Sequence, residues 1–158
     1  MFNKLVKKLE LEKKIKKQKA GIVQIEALLR EAMLDLTEAK KISHLAQRAT
    51  YLMAYTGILK AGRALLLLKG YVPDDGAQHK TVVEMTSAIL GDKYKHLTEH
   101  FENMRRKRNE LTYEAGKLQA AEEEPTFGGC MLVFLVFVLV ACVVGFGVKW
   151  LFGVSFGF

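Results

Sequence analysis

A run of four cations, Arg105 to Arg108, followed at once by Asn109 and four residues later by Tyr113, is the segment of this chain best equipped for chemistry. On a helix Arg105, Asn109 and Tyr113 are each separated by four and form one ridge, with Arg108 beside it, four residues before Thr112. Guanidinium groups neutralise a phosphate bidentately, and an amide and a phenol add oriented hydrogen bonds, so the set suits holding and polarising a phosphodiester. In that reading Arg108 stabilises charge developing at phosphorus, Asn109 orients the substrate and Tyr113 donates or relays a proton. Arg105, Arg106 and Lys107 then bind the adjoining phosphate backbone. The alternative is a solvated basic helix on which Asn109 and Tyr113 cap or pack locally; adjacent cations spread around most of a helix and cannot all be buried.

Other candidates are poorer in partners. His96 and His100 are four apart with Glu99 between them, a spacing that can bring two imidazoles to one metal. No third ligand is evident and the zincin order is absent, so a surface pair of neutral histidines is expected. His44 near a helix start and His79 beside a loop have no identifiable acid or nucleophile in the sequence, and Asp74-Asp75 reads as turn chemistry. There is no Gly-rich phosphate loop, dinucleotide fingerprint or Cys-x-x-Cys pair, and no cofactor or metal is expected.

Helices must position these residues. Leu11, Ile15, Gln18, Ile22, Ile25, Leu29, Ala32 and Leu36 alternate in steps of four and three, which predicts one helix over residues 2–41. Gly21 is the place where it could break, leaving a basic helical arm at residues 1–20. A mostly apolar second helix over 42–69, with Ser43 as N-cap, ends at Gly70. Residues 71–76 form a loop by their Pro and Gly content, a short helix covers 79–90, Gly91-Asp92 turn the chain, and a last helix runs over 93–121. No stretch alternates in the manner of a strand, so the fold class is all-α: an antiparallel bundle of four to five helices over 21–121.

The segments Ala61-Gly-Arg-Ala-Leu-Leu-Leu-Leu-Lys-Gly-Tyr71, His79-Lys-Thr-Val-Val-Glu84 and Met104-Arg-Arg-Lys-Arg-Asn-Glu-Leu-Thr-Tyr113, in this order, resemble the HEPN superfamily of small helical bundles over about residues 24–120. The resemblance implies metal-independent RNA cleavage and a homodimer whose composite site joins two copies of the motif helix. It also implies a toxin–antitoxin setting in which the partner is often a nucleotidyltransferase. The family's signature is an Arg followed after four to six residues by His; here Arg108 keeps the Arg, Asn109 the polar residue after it, and Tyr113 stands in the His position. A phenol near pKa 10 is a poorer base than an imidazole near 6.5. RNA or nucleotide binding and dimerisation are thus implied more firmly than catalysis, and a non-catalytic module docking a nucleotidyltransferase-type partner is the competing expectation.

The net charge of +7 over 158 residues is a poor guide to RNA binding. Residues 1–19 hold eight Lys against two Glu, while the remainder holds 16 basic against 15 acidic residues. The Lys-rich start is either a solvated extension, half of a short coiled coil, or an electrostatic foot for RNA or an anionic leaflet. It is too basic for a cleavable secretory signal, which argues for cytosolic synthesis. After a linker at 122–129, residues 130–152 carry one charge, Lys149, and 15 Leu, Val or Phe. At 1.5 Å per residue they would span about 35 Å, enough for a bilayer core of about 30 Å. The expectation is a C-terminal transmembrane helix that tail-anchors a cytoplasmic domain, with Lys149 snorkelling beside Trp150. A buried helix in an oligomer or an aberrant end would leave the protein cytoplasmic.

Overall fold

The computed structural model describes residues 2–76 and 78–113. Among them the chain is mostly helical, with α1 (Phe2–Leu11), α2 (Ile22–Ile42), α3 (Gln47–Leu68), α4 (Gln78–Leu90) and α5 (Lys95–Tyr113), and a short 3-10 turn at Asp92–Tyr94. Strands β1 (Ile15–Lys17) and β2 (Tyr71–Pro73) form a two-stranded sheet. The expected helices at 114–121 and 130–152, with the linker between them, lie outside the described residues.

Helix α3 is the centre. Its length and apolarity would let it cross a membrane, but more than half of its most apolar window is buried within the bundle, against α2, α4 and α5. It is therefore the core helix, and Tyr55, Ile58 and Leu66 are almost wholly inaccessible together with Val82 and Met85 of α4 and Phe101 and Met104 of α5. Two glycines let neighbours approach: a Cβ on Gly57 would lie 2.9 Å from the Ala32 carbonyl of α2, and one on Gly62 would lie 2.8 Å from Val82 Cγ1 of α4. Helices α2 and α3 form a hairpin along which Lys60 meets Asp35 at 2.8 Å and Glu31 at 3.3 Å.

The expected single helix over 2–41 is broken, and the break does not begin at Gly21. Helix α1 ends in a Schellman arrangement: the Lys14 N–H donates to the Leu9 carbonyl at 2.9 Å and the Lys13 N–H to the Glu10 carbonyl at 3.1 Å. Lys13 takes the left-handed position (φ 55°) usually given to glycine, at a cost of about 1–2 kcal/mol. The chain then runs as β1, antiparallel to β2, with Ile15 opposite Pro73 and Lys17 opposite Tyr71. The expectation of no strand is thereby corrected, and so is the loop at 71–76, half of which is strand. Gly70 (φ 81°) turns the chain out of α3 and its carbonyl accepts from the Gln18 N–H at 3.0 Å, closing the ladder.

The break also reassigns the apolar stripe. Leu11 and Ile22 are exposed and Ile15 is buried in the sheet, whereas Ala32 and Leu36 face α3 as expected. The start of the chain is no free arm: Val6 and Leu9 are buried, Phe2 and Leu5 pack beside them, and Phe2 meets Tyr71 edge-on at 6.4 Å. Ser43 does not cap the second helix; its hydroxyl donates to the Lys40 carbonyl at the end of α2, and α3 begins five residues later than expected.

Candidate functional site

Helix α5 lies along α3, and the position of each of its cations on the helix decides its environment. Arg105 is locked within its own helix: its Nε and Nη2 each donate to the Glu102 carboxylate at 2.8 Å, a bidentate pair. Arg106 is largely exposed and donates Nε–H to the same carboxylate at 3.0 Å, while Lys107 lies 3.3 Å from Glu110. Arg108 is half-buried and donates from Nη1 to Asn109 Oδ1 at 3.2 Å. The basic run is thus divided, with Arg105 and Arg108 partly buried and Arg106 turned to solvent. Tyr113 closes α5, but its side chain lies outside the described residues. The ridge is described only as far as Arg105 and Asn109, and the Arg48 guanidinium pins the end of α5 to α3 by donating to the Leu111 carbonyl.

What the sequence did not disclose is where Arg105 and Arg108 exert their field. Tyr55, on the buried face of α3, has its Oη 3.0 Å from Nδ1 of His79 in the first turn of α4, and its ring packs 6.1 Å from Phe101. Burial pushes the Tyr55 phenol up to about 12, opposed by the charges of Arg108, Arg105 and Arg63. Burial also lowers His79, and the same three guanidiniums, Arg108, Arg63 and Arg105, lower it further. Arg63 of α3 donates to Gln78 Oε1 at 3.2 Å, next to His79. The charges of Arg63, Arg105 and Arg108, from two helices, are thus felt at one phenol–imidazole pair supplied by α3 and α4.

The turn before α4 sets this geometry. Asp74 pairs with Lys16 of β1 at 2.7 Å, and Asp75 accepts from Thr81 Oγ1 at 2.8 Å. The sheet and turn thus fix where α4 starts, and with it His79. In sequence His79 was a lone histidine beside a loop. The available signals were a Tyr on the most apolar helix, where a buried hydroxyl needs a partner, and an Arg within the apolar run 58–68. His96 is exposed, whereas His100 is half-buried with its Nε2 lacking a hydrogen-bond partner among the described residues, and desolvation lowers its pKa. Among the described residues no group of three or more His, Cys, Asp or Glu is placed to hold a metal ion.

The pKa shifts carry signs. Glu102 is held at about 2, chiefly by Arg105, so its contribution to stability is full above its ordinary value of 4.5 and is lost as pH falls towards about 2. Glu102→Gln is expected to lower stability at pH 7 by about 1 kcal/mol, allowing for partial solvent screening, and to flatten the acid-unfolding curve below pH 4.5. Urea titrations across pH would check both effects. Unchanged acid unfolding would show that the pair is energetically idle. For His79, lowered in the fold, the neutral form is favoured, so its contribution is present above 6.5 and is lost as pH falls below it.

No family model, curated protein or solved structure matches this chain. The described residues define a mostly helical domain with a small antiparallel sheet and a part-buried Tyr55–His79 hydrogen bond.

Proposed function

We propose that this chain is a HEPN-like RNA-binding domain whose site is the cluster of Arg105, Arg108 and Asn109 of α5 with Arg63 of α3. The observation that carries the reading is the half-buried placing of Arg105, Arg108 and Asn109 on α5, with half-buried Arg63 of α3 bonded to Gln78 of α4 at 3.2 Å. A patch of fixed, partly desolvated cations binds phosphate more strongly than the same charges spread over a solvated helix. Arg106, largely exposed, adds with half-buried Lys107 the longer-range attraction that steers a polyanion. Two copies pairing through α5 would double the cation set and bring Tyr113 of each chain into a composite site. In the same reading residues 130–152 anchor the domain to a membrane, supported by their length and near absence of charge.

The test is a salt titration of the full-length chain in detergent with a fluorescent single-stranded RNA. Binding is expected to fall steeply with salt, and Arg108→Gln to weaken it about tenfold and reduce the slope of log K against log salt by about 0.7. A nucleotidyltransferase-type protein docking on the same ridge would instead depend on apolar contacts, and the parent would then show no salt-dependent RNA binding. Retention of RNA binding unchanged in Arg108→Gln would sink this assignment of the site.

A further inference from the structure

Between Glu38 and Asp74 the sequence holds no acidic residue, and the turn joining α2 to α3 falls at the start of that stretch. It reads Lys40-Lys-Ile-Ser-His-Leu-Ala-Gln-Arg48, with Lys40, Lys41, Leu45 and Arg48 all exposed. We propose that this turn is a membrane-contacting tip, at which Lys40, Lys41 and Arg48 meet the anionic phospholipid headgroups of a bilayer and Leu45 enters its interface. This rests on the reading above in which residues 130–152 anchor the chain, and adds to it the surface that the folded domain turns to the membrane.

The backbone of the turn holds Leu45 outward. The N–H groups of Leu45 and Ala46 both donate to the Ile42 carbonyl, at 2.9 and 3.0 Å, and the Ser43 hydroxyl donates to the Lys40 carbonyl at 2.9 Å. Fixed in this way, Leu45 is 85% exposed. A single exposed leucine is common on a protein surface. This one stands at the end of a helical hairpin among three cations, beside an open depression of about 420 Å³ lined by Ala46, Gln47, Arg48, Ala49 and Leu52. Apolar carbons ringed by basic groups suit a lipid interface, where the cations lie among phosphates and the carbons reach the hydrocarbon beneath.

Topology puts this tip at the end of the bundle from which the chain continues. The Arg48 guanidinium donates to the Leu111 carbonyl, so the end of α5 lies beside the start of α3, and residues 114–129 lead from there to the apolar segment. Those connecting residues carry Glu114 and Glu122 to Glu124 against one cation, Lys117. The positive charge that favours the cytoplasmic side of a span is therefore left to the folded domain. The Lys-rich start, the more obvious candidate in sequence, is at the other end. Strand β1 pairs with β2, which follows α3, so Lys13 to Lys17 sit at the sheet, about 30 Å along α3 from Arg48. Several Debye lengths at physiological salt separate the two basic regions, so they act independently. Each cation brought to an anionic leaflet strengthens contact about fivefold, and a tethered domain needs only a weak contact to stay docked.

The experiment reconstitutes the full-length chain into vesicles of phosphatidylcholine, alone or with about 30% phosphatidylserine to supply anionic headgroups. The vesicles are floated through a density gradient, and accessible lysines are labelled with a membrane-impermeant acylating reagent and read by mass spectrometry. The chain should float with both. With phosphatidylserine present, labelling of Lys40 and Lys41 relative to Lys7 and Lys13 should fall at least about threefold, and salt at about 0.5 M should restore it. Leu45→Ser, at an exposed position that leaves the core intact, should keep flotation and lose most of this protection; Lys40→Gln should weaken the protection of Lys41. Equal labelling of Lys40 and Lys41 in the two vesicles would overturn the proposal, since equal protection would assign the tip to a second copy or to the chain's own continuation and equal exposure would leave it in water. Protection of Lys7 and Lys13 in their place would overturn it too, as would protection of Lys40 and Lys41 by a single-stranded RNA but not by phosphatidylserine. A chain that floats with neither vesicle removes the anchor and this contact together, whereas one that floats with its tip unprotected removes only the contact.

Discussion

Phe101→Ala is expected to lower the free energy of unfolding by about 3–5 kcal/mol, the range for emptying a buried aromatic position. Phe101 is 0% exposed, lies 6.1 Å ring to ring from Tyr55, and fills the space against the Cβ-less face of Gly62. The position has little room to collapse. Met104 is as buried as Phe101 one turn along α5, and Tyr55 is tied to His79, so neither can swing in without breaking another contact. The loss should appear in urea unfolding as a lower midpoint with an unchanged slope. The site would suffer with the core, because Phe101 supports the ring that orients His79. A loss below 2 kcal/mol would mean that α5 is packed less tightly than the structure shows.

Gly57→Val is expected to destabilise the chain by about 3 kcal/mol, the upper end for overpacking. Two effects compete at this position. A glycine inside a helix is about 1 kcal/mol worse than alanine, so filling it should help if space allowed. The added Cβ would, however, lie 2.9 Å from the Ala32 carbonyl oxygen and 3.1 Å from Leu36 Cγ. The oxygen belongs to the backbone of α2 and cannot rotate away, so the hairpin must open, lengthening the Lys60–Asp35 contact one turn further on. Gly57→Ala should therefore show a net loss of about 1 kcal/mol, the clash outweighing the propensity gain, and valine should exceed it through its branches. Thermal unfolding of the two variants provides the measurement. A stabilised alanine variant would show that α2 yields freely.

The order and character of the helices were legible from the chain. The apolar composition of α3, the stop at Gly70 and the short helix after the turn read correctly because each depends on local pattern and on residues with special backbone preferences. The N-terminal half misled for a physical reason. The steps from Leu11 to Leu36 satisfied a helical period, but the left-handed turn at Lys13 ends α1 there, and β1 gains a partner 56 residues away in sequence at β2. The stripe of Phe2, Leu5, Val6 and Leu9, which does bury α1, lay in the same Lys-rich segment and was obscured by its charge. Ser43 looked like a cap by residue type, yet its hydroxyl serves the preceding helix.

For the site, the sequence by itself determined that one helix carries Arg105, Arg106, Lys107, Arg108 and Asn109, since residues within two turns of a helix share a neighbourhood whatever the fold. It could not determine which of these cations act together. Glu102 claims Arg105 and Arg106 through side-chain geometry, and Arg63, Tyr55 and His79 come from α3 and α4. That grouping exists because α5 packs along α3 and the β1–β2 pairing fixes where α4 begins. Local spacing selects what a helix can present, whereas the depth of a phenol and its distance from an imidazole 24 residues later depend on packing that no local pattern encodes.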